Sequence, residues 1–242
     1  MVIFQICCRL CCYLSVAAGA KNNLLTFVPL VKNNYPFSII KMNIAIVKYN
    51  AGNIQSVLYA LERIGFSAAV TDDIEALQQA DKVIFPGVGE ASSAMKYLRE
   101  RKLDEAIKNL AQPVLGICLG LQLMCCHSEE NNTQCLGIFE EDVKQFTPRS
   151  FAEGLRLKVP QIGWNSIEDL QTDLFYNVKE NSYVYSVHSY YASLGKHTIA
   201  KATYGAAYSA ALHKDNFYGV QFHPEKSAET GEQILRNFIE RI

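Results

Sequence analysis

A short apolar run, Pro113-Val114-Leu115-Gly116-Ile117, breaks at Cys118 into a helical pattern that continues from Leu119 to Ser128. The run follows a polar stretch and predicts a buried strand, while the periodic segment behind it predicts a helix. The chain must turn from strand to helix within a residue or two, with the cysteine on the bend. Gly116 and Gly120 stand two positions to either side. They remove side chains that so sharp a turn has no room for, as in a nucleophile elbow with sulfur in place of oxygen. Backbone N–H groups and the positive end of the helix dipole favour thiolate there, the attacking form of cysteine. Taken alone, the pentapeptide also fits an inert, buried cysteine.

Strand and helix patterns alternate around this turn. Met42 to Val47 predicts an opening strand, and Asn53 predicts the cap of a helix whose apolar positions are Ile54, Val57, Leu58, Leu61 and Ile64, ended by Gly65. Phe66 to Val70 and Lys82 to Phe85 read as strands, and Ala91 to Leu110 as one longer helix. Such alternation predicts an α/β fold: a central, mostly parallel sheet flanked by helices, with functional loops at the carboxyl ends of the strands. The second half adds strands at Leu155 to Val159, Ser182 to Val187, Ile199 to Thr203, Ala206 to Leu212 and Phe217 to Phe222, then a closing helix from Thr230 to Arg241. Glu140 to Gly154 reads as an irregular loop.

A second cluster of chemistry follows the last strand. In His223-Pro224-Glu225 the histidine and the carboxylate are two residues apart, so on an extended segment they face the same side, and Pro224 stiffens the link. A carboxylate that orients an imidazole leaves the other ring nitrogen free to act as base toward Cys118, wherever the fold brings them together. By itself the triplet also fits a surface turn.

Cys118 in its Gly-Ile-Cys-Leu-Gly-Leu-Gln setting, with His223 and Glu225, resembles the catalytic triad of the class I glutamine amidotransferases. Within them, Pro86-Gly87-Val88-Gly89, Pro160-Gln161-Ile162-Gly163-Trp164-Asn165 and Val187-His188-Ser189-Tyr190-Tyr191 are similar to the family of glutaminase subunits of imidazole glycerol phosphate synthase, an enzyme of histidine biosynthesis. The resemblance runs from about Met42 to the C-terminus. It departs in the first loop, Lys48-Tyr49-Asn50-Ala51-Gly52-Asn53, where the family more often has an Asp-Tyr-Gly start. It implies glutamine as substrate and a heterodimer with a β/α-barrel cyclase subunit that consumes the ammonia. It also implies Cys118, His223 and Glu225 as catalytic residues, and the N–H groups of Val88 and Leu119 as an oxyanion hole, with that of Val88 misoriented until the partner is loaded. Gly89, Gln122, Ser189 and Tyr190 are implied as glutamine contacts, largely through backbone. Four positions along a helix, Gln122 shares a face with Cys118. Trp164, the only tryptophan, suggests a partner interface together with Asn165, and fits a core position equally well. Rival readings are a glutaminase of another synthase, such as the anthranilate type, a non-catalytic partner-binding module, and a cysteine-dependent hydrolase.

Composition agrees with one substantial core: 242 residues, 49% hydrophobic and 19% charged. A formal charge of -1 leaves no basic footprint for nucleic acid or an acidic membrane surface. Eight cysteines include the cluster Cys7, Cys8, Cys11 and Cys12, with no spacing that repeats as a zinc site would. His127, His188, His197 and His213 lack metal-like companions, so no metal and no cofactor are expected. A disulfide framework belongs to much shorter secreted chains, which predicts a reducing, cytoplasmic setting. Residues 1–41 form a separate problem. Met1 to Ala20 is apolar but carries Arg9 inside the run, unlike a signal peptide, and is too short between charges to span a membrane. The pattern changes at Met42, so residues 1–41 are expected to be an extension outside the fold and 42–242 a single domain.

Overall fold

The computed structural model describes residues 42–49, 53–147 and 157–242. The expected extension, residues 1–41, lies outside them, as do part of the first loop, residues 50–52, and residues 148–156 of the expected irregular loop.

The first half is built as β1 (Ile44–Val47), α1 (Ile54–Arg63), β2 (Ala68–Thr71), α2 (Ile74–Gln78), β3 (Lys82–Phe85), α3 (Ala91–Glu100), α4 (Leu103–Lys108), β4 (Val114–Ile117) and α5 (Leu119–Met124). Then come β5 (His127–Ser128), β6 (Thr133–Gln134), β7 (Val143–Gln145), β8 (Gln161–Ser166), β9 (Tyr183–His188), β10 (Tyr190–Ala192), β11 (Thr198–Tyr204), β12 (Ala206–Lys214), β13 (Phe217–Val220) and α6 (Ala228–Glu240). Seven strands form the central sheet in the order β11-β12-β13-β4-β3-β1-β2. The pairings β2–β1–β3–β4–β13 are parallel, and β13–β12–β11 antiparallel, which is the expected mostly parallel sheet with antiparallel additions.

The parallel strands are apolar on both faces because both are covered. Ile44 and Ile46 join a core layer with Val57 and Leu61 of α1 and Ile234, Leu235 and Phe238 of α6. The alternate residues Ala45 and Val47 join the opposite layer with Leu77, Met95, Leu98, Leu103 and Ile107 from α2, α3 and α4. Period-two alternation along one strand thus feeds two cores.

Several elements depart from expectation. The single helix from Ala91 to Leu110 is two, broken at Lys102, which sits at φ 57°. In an uninterrupted helix Leu103 would lie about 140° around the axis from Leu98; the break turns both into the core, each fully buried. The helix expected to reach Ser128 stops at Met124. Its last carbonyls are taken by the returning chain, with N–H groups of Leu136, Ile138 and Phe139 donating to Leu123 and Met124 at 2.8 to 2.9 Å, so no further turn is needed. Residues 157–159 of the expected strand Leu155 to Val159 are not extended into a ladder; the strand begins at Gln161 instead and pairs only with β9. Phe217 to Phe222 ends as a strand at Val220. Asn53 makes no side-chain cap on α1. The helix α2 is too short to show a period, although Asp73 caps it by accepting from the Ala76 N–H at 2.8 Å.

Among the described residues no helix is long and apolar enough to cross a membrane.

Candidate active site

Sheet order assembles the site. β4 lies between β3 and β13, with Gly116 beside Phe85 and Ile117 beside Val220. The residues that follow each strand therefore meet: Pro86 to Gly89 on one side of Cys118, and Gln221 to Glu225 on the other. The Cys118 N–H donates to Val220 O at 2.8 Å, and Gln221 Nε2 lies 3.8 Å from Cys118 Sγ.

Cys118 adopts φ 52° and ψ -106°, a conformation that side chains rarely take and that costs on the order of 1–3 kcal/mol. The flanking glycines make it possible. A Cβ on Gly120 would stand 1.8 Å from the Phe85 carbonyl oxygen, and one on Gly116 would stand 2.8 Å from the Leu121 nitrogen. The bend is packed against backbone on both sides, as its sequence implied. Tyr49 closes the floor, donating from its hydroxyl to Pro86 O at 2.6 Å. Burial, and then the nearby Cys118, hold its phenol well above the usual range.

His223 and Glu225 do meet, but through a turn rather than strand alternation. Pro224–Lys226 is a single 3-10 turn, and Ser227 clamps it by donating to His223 O at 2.6 Å and accepting the Tyr185 N–H at 2.9 Å. His223 Nδ1 is 2.7 Å from Glu225 Oε1, with both side chains buried. The other ring nitrogen, Nε2, is buried without a nitrogen or oxygen partner among the described residues. Cys118 is the group that faces it. Burial is the largest single influence on the ring and opposes its protonation. The charge and hydrogen bond of Cys118, followed by those of Glu225, outweigh burial and push His223 up to about 10. The same Glu225 Oε1 accepts from Asn53 Nδ2 at 2.5 Å. That contact was hidden in the sequence by the 172 positions that separate the two.

A cavity of about 210 Å³ opens over Cys118, with Val88, Gly89, Leu119, Gln122, Glu130, Val187, His188, Ser189 and Tyr190 in its wall. Every residue expected at a substrate site is thus in one place. The Leu119 N–H donates to Gly87 O at 3.3 Å. Because a peptide N–H points opposite to its C=O, the Val88 N–H is directed away from that position. Gln122 Nε2 donates to Tyr190 O at 2.9 Å and Gln221 Oε1 at 3.1 Å, which spends both amide protons and leaves its carbonyl oxygen as an acceptor. Two wall residues were not picked out as site residues from the sequence. Glu130, half-buried, accepts the Ala91 N–H at 2.7 Å; burial raises its carboxyl, the Ala91 bond opposes this and Glu90 adds to it. His188 is buried, with Nδ1 2.7 Å from Tyr190 O, and burial above all pushes it down to about 4. Among the described residues no group of three histidine, cysteine or acidic side chains could hold a metal ion.

Beside the cavity, the outer face of β8 and β9 carries Ile162, Trp164 and Tyr183, exposed by 64%, 53% and 63%. Trp164 packs edge-on against Tyr185, 6.0 Å between ring centres. Asn165 is partly buried, and its amide donates to Thr203 O at 3.1 Å.

An elbow cysteine at the end of a parallel strand, a His-Glu pair in the turn after the neighbouring strand and an acceptor-rich cavity define a thiol-dependent acyl-transfer site on an α/β sheet. The family model for glutamine amidotransferase class-I matches residues 45–242. Over 199 residues the chain is 58% identical to imidazole glycerol phosphate synthase subunit HisH of Bacteroides fragilis, covering 82% of this chain and all of that one. The subunit HisH of Shewanella loihica is 48% identical over 80% of this chain and 88% of its own. The crystal structure of a putative GMP synthase protein from Thermoplasma acidophilum shares the fold, with TM-score 0.62 at 20% identity over 82% of this chain and 92% of that one. The chain belongs to the class I glutamine amidotransferases and, within them, to the HisH family.

Proposed function

We propose that this chain hydrolyses glutamine to glutamate and ammonia as the glutaminase subunit of an imidazole glycerol phosphate synthase, in histidine biosynthesis. The observation that carries the reading is the approach of Cys118 and His223 from the ends of adjacent strands, with Glu225 fixing the ring. In this reading Cys118 gives its proton to His223 Nε2. Sulfur attacks the side-chain amide carbon of glutamine, the C–N bond breaks, and His223 Nε2 gives its proton to the leaving nitrogen, forming ammonia and a glutamyl thioester. Water then loses a proton to the same nitrogen and attacks the thioester, releasing glutamate and restoring the thiolate.

The negative oxygen formed in each step needs donors, and the N–H groups of Leu119 and Val88 are the proposed pair. Since Gly87 O occupies the Leu119 N–H, the reading requires the Gly87–Val88 peptide to turn over before attack. At the far end of the cavity the Glu130 carboxylate and the free oxygen of Gln122 are two acceptors suited to the α-ammonium of an amino acid. Gly89, Ser189 and Tyr190 complete the substrate wall.

The partner in this reading is a β/α-barrel cyclase, which uses the ammonia to make imidazole glycerol phosphate and aminoimidazole carboxamide ribotide. Trp164, with Asn165 behind it, marks the docking face, since aromatic side chains left exposed beside an active site are favoured anchors. Four free cysteines among the described residues fit a reducing, cytoplasmic setting. The domain is residues 42–242, with 1–41 an extension to it. Cys118→Ser in the complex tests the assignment: glutamine-dependent synthesis disappears while ammonia-dependent synthesis persists. Loss of both, or of neither, refutes it.

A further inference from the structure

The Glu225 carboxylate is held in an unusual way. Its Oε2 is buried with no partner among the described residues. Among the described residues its side chain has only two hydrogen bonds, both to Oε1, from His223 Nδ1 at 2.7 Å and Asn53 Nδ2 at 2.5 Å. One of those two is to the ring it is meant to orient, so among the described residues the only independent anchor is Asn53. A carboxylate tethered by a single group can rotate about its last bond and exchange oxygens, carrying the imidazole with it.

Asn53 is shaped for this contact. It precedes α1 at φ 74° and ψ 8°, a left-handed conformation that asparagine tolerates better than most residues. Its backbone carbonyl accepts the Ser56 N–H at 3.2 Å, while its side chain makes no cap on α1. The amide is free of the ordinary duty of a residue at this position and is spent on Glu225.

We propose that Asn53 is the positioning residue of the catalytic triad, fixing Glu225 so that His223 Nε2 stays aligned with Cys118. The proposal rests on the glutaminase reading, and it ties the geometry of the triad to the start of α1. Loss of a supporting group of this kind costs about 10- to 100-fold in activity, by analogy with groups that orient metal-bound histidines.

The isosteric variant Asn53→Asp separates positioning from packing. It keeps the volume, and an acidic side chain at a helix N-terminus suits the dipole. It replaces the donor by an acceptor beside Glu225. With the full chain and its synthase partner, Asn53→Asp and Asn53→Ala should both lower kcat for glutamine at least 10-fold at pH 8, with KM within two-fold. The activity of Asn53→Asp relative to wild type should rise on acidification, because the new carboxyl regains a donor once protonated and two adjacent carboxyls share a proton readily. A second readout needs no glutamine turnover: alkylation of Cys118 by iodoacetamide at pH 6 should slow several-fold in Asn53→Ala. Wild-type kcat in Asn53→Asp, or wild-type alkylation in Asn53→Ala, overturns the proposal while leaving the glutaminase reading in place. A wild-type complex that does not hydrolyse glutamine defeats the parent reading, and the alkylation comparison still decides the role of Asn53.

Discussion

His188 should make this protein acid-sensitive by an amount the structure sets. Its ring is 6% exposed, and the Tyr190 carbonyl 2.7 Å from Nδ1 can only accept, so Nδ1 carries the proton and Nε2 keeps a buried, unpartnered lone pair. Protonating Nε2 would bury a charge without a partner. Burial, reinforced by the nearby charge of His223 and opposed by the Tyr190 bond, takes the ring from 6.5 to about 4. Between those values the unfolded chain binds the proton and the folded chain does not. Stability therefore rises with pH across the window and is lost as pH falls through it. The gap between 6.5 and about 4, at roughly 1.4 kcal/mol per pH unit, amounts to about 3 kcal/mol, most of it gone by about pH 4.5. Urea denaturation of wild type and His188→Asn at neutral pH and near pH 4.5 measures the effect, since asparagine retains a donor for the Tyr190 carbonyl and does not titrate. The advantage of wild type over the variant should shrink by about 3 kcal/mol on acidification. Equal acid losses in the two proteins, within about 0.5 kcal/mol, would refute the account of a neutral, buried ring.

Gly120→Ala places a methyl group 1.8 Å from the Phe85 carbonyl, and since backbone must move, denaturant titration should show a loss of about 3 kcal/mol or more. Ser227→Ala strips the buried Tyr185 N–H of its acceptor and unclamps the His223 turn; a loss of about 1–3 kcal/mol is expected in the same assay, together with slower glutamine hydrolysis. Trp164→Ala truncates a side chain that is 53% exposed, so stability should change by no more than about 0.5 kcal/mol. Calorimetric titration with the cyclase proposed as partner should instead show binding weakened by about 2 kcal/mol.

The parallel architecture and the elbow were both legible in the amino-acid order, because each is a local pattern. Alternating β and α periods announce a covered sheet, and Gly-x-Cys-x-Gly announces a bend that admits no side chain on either flank. The triad partners were legible as residue types. Their meeting was not, because it depends on β13 lying beside β4, a pairing that joins segments about a hundred residues apart. The break at Lys102 and the early end of α5 were also beyond a local reading: in one the core demanded a different rotation of Leu103, and in the other a distant segment supplied the hydrogen bonds that another helical turn would have made.

Sequence alone therefore picked out the groups of the candidate site and the kind of sheet that presents them. Tertiary structure decided how those groups are held. Asn53 was expected to cap a helix and anchors Glu225; Glu130 and His188 were not expected at the site and line the cavity; the Gly87 carbonyl lies against the Leu119 N–H. The physical reason is the same in each case. Secondary structure follows from interactions a few residues apart, whereas hydrogen-bond partnership and desolvation depend on which remote segments the packed sheet brings within about 3 Å.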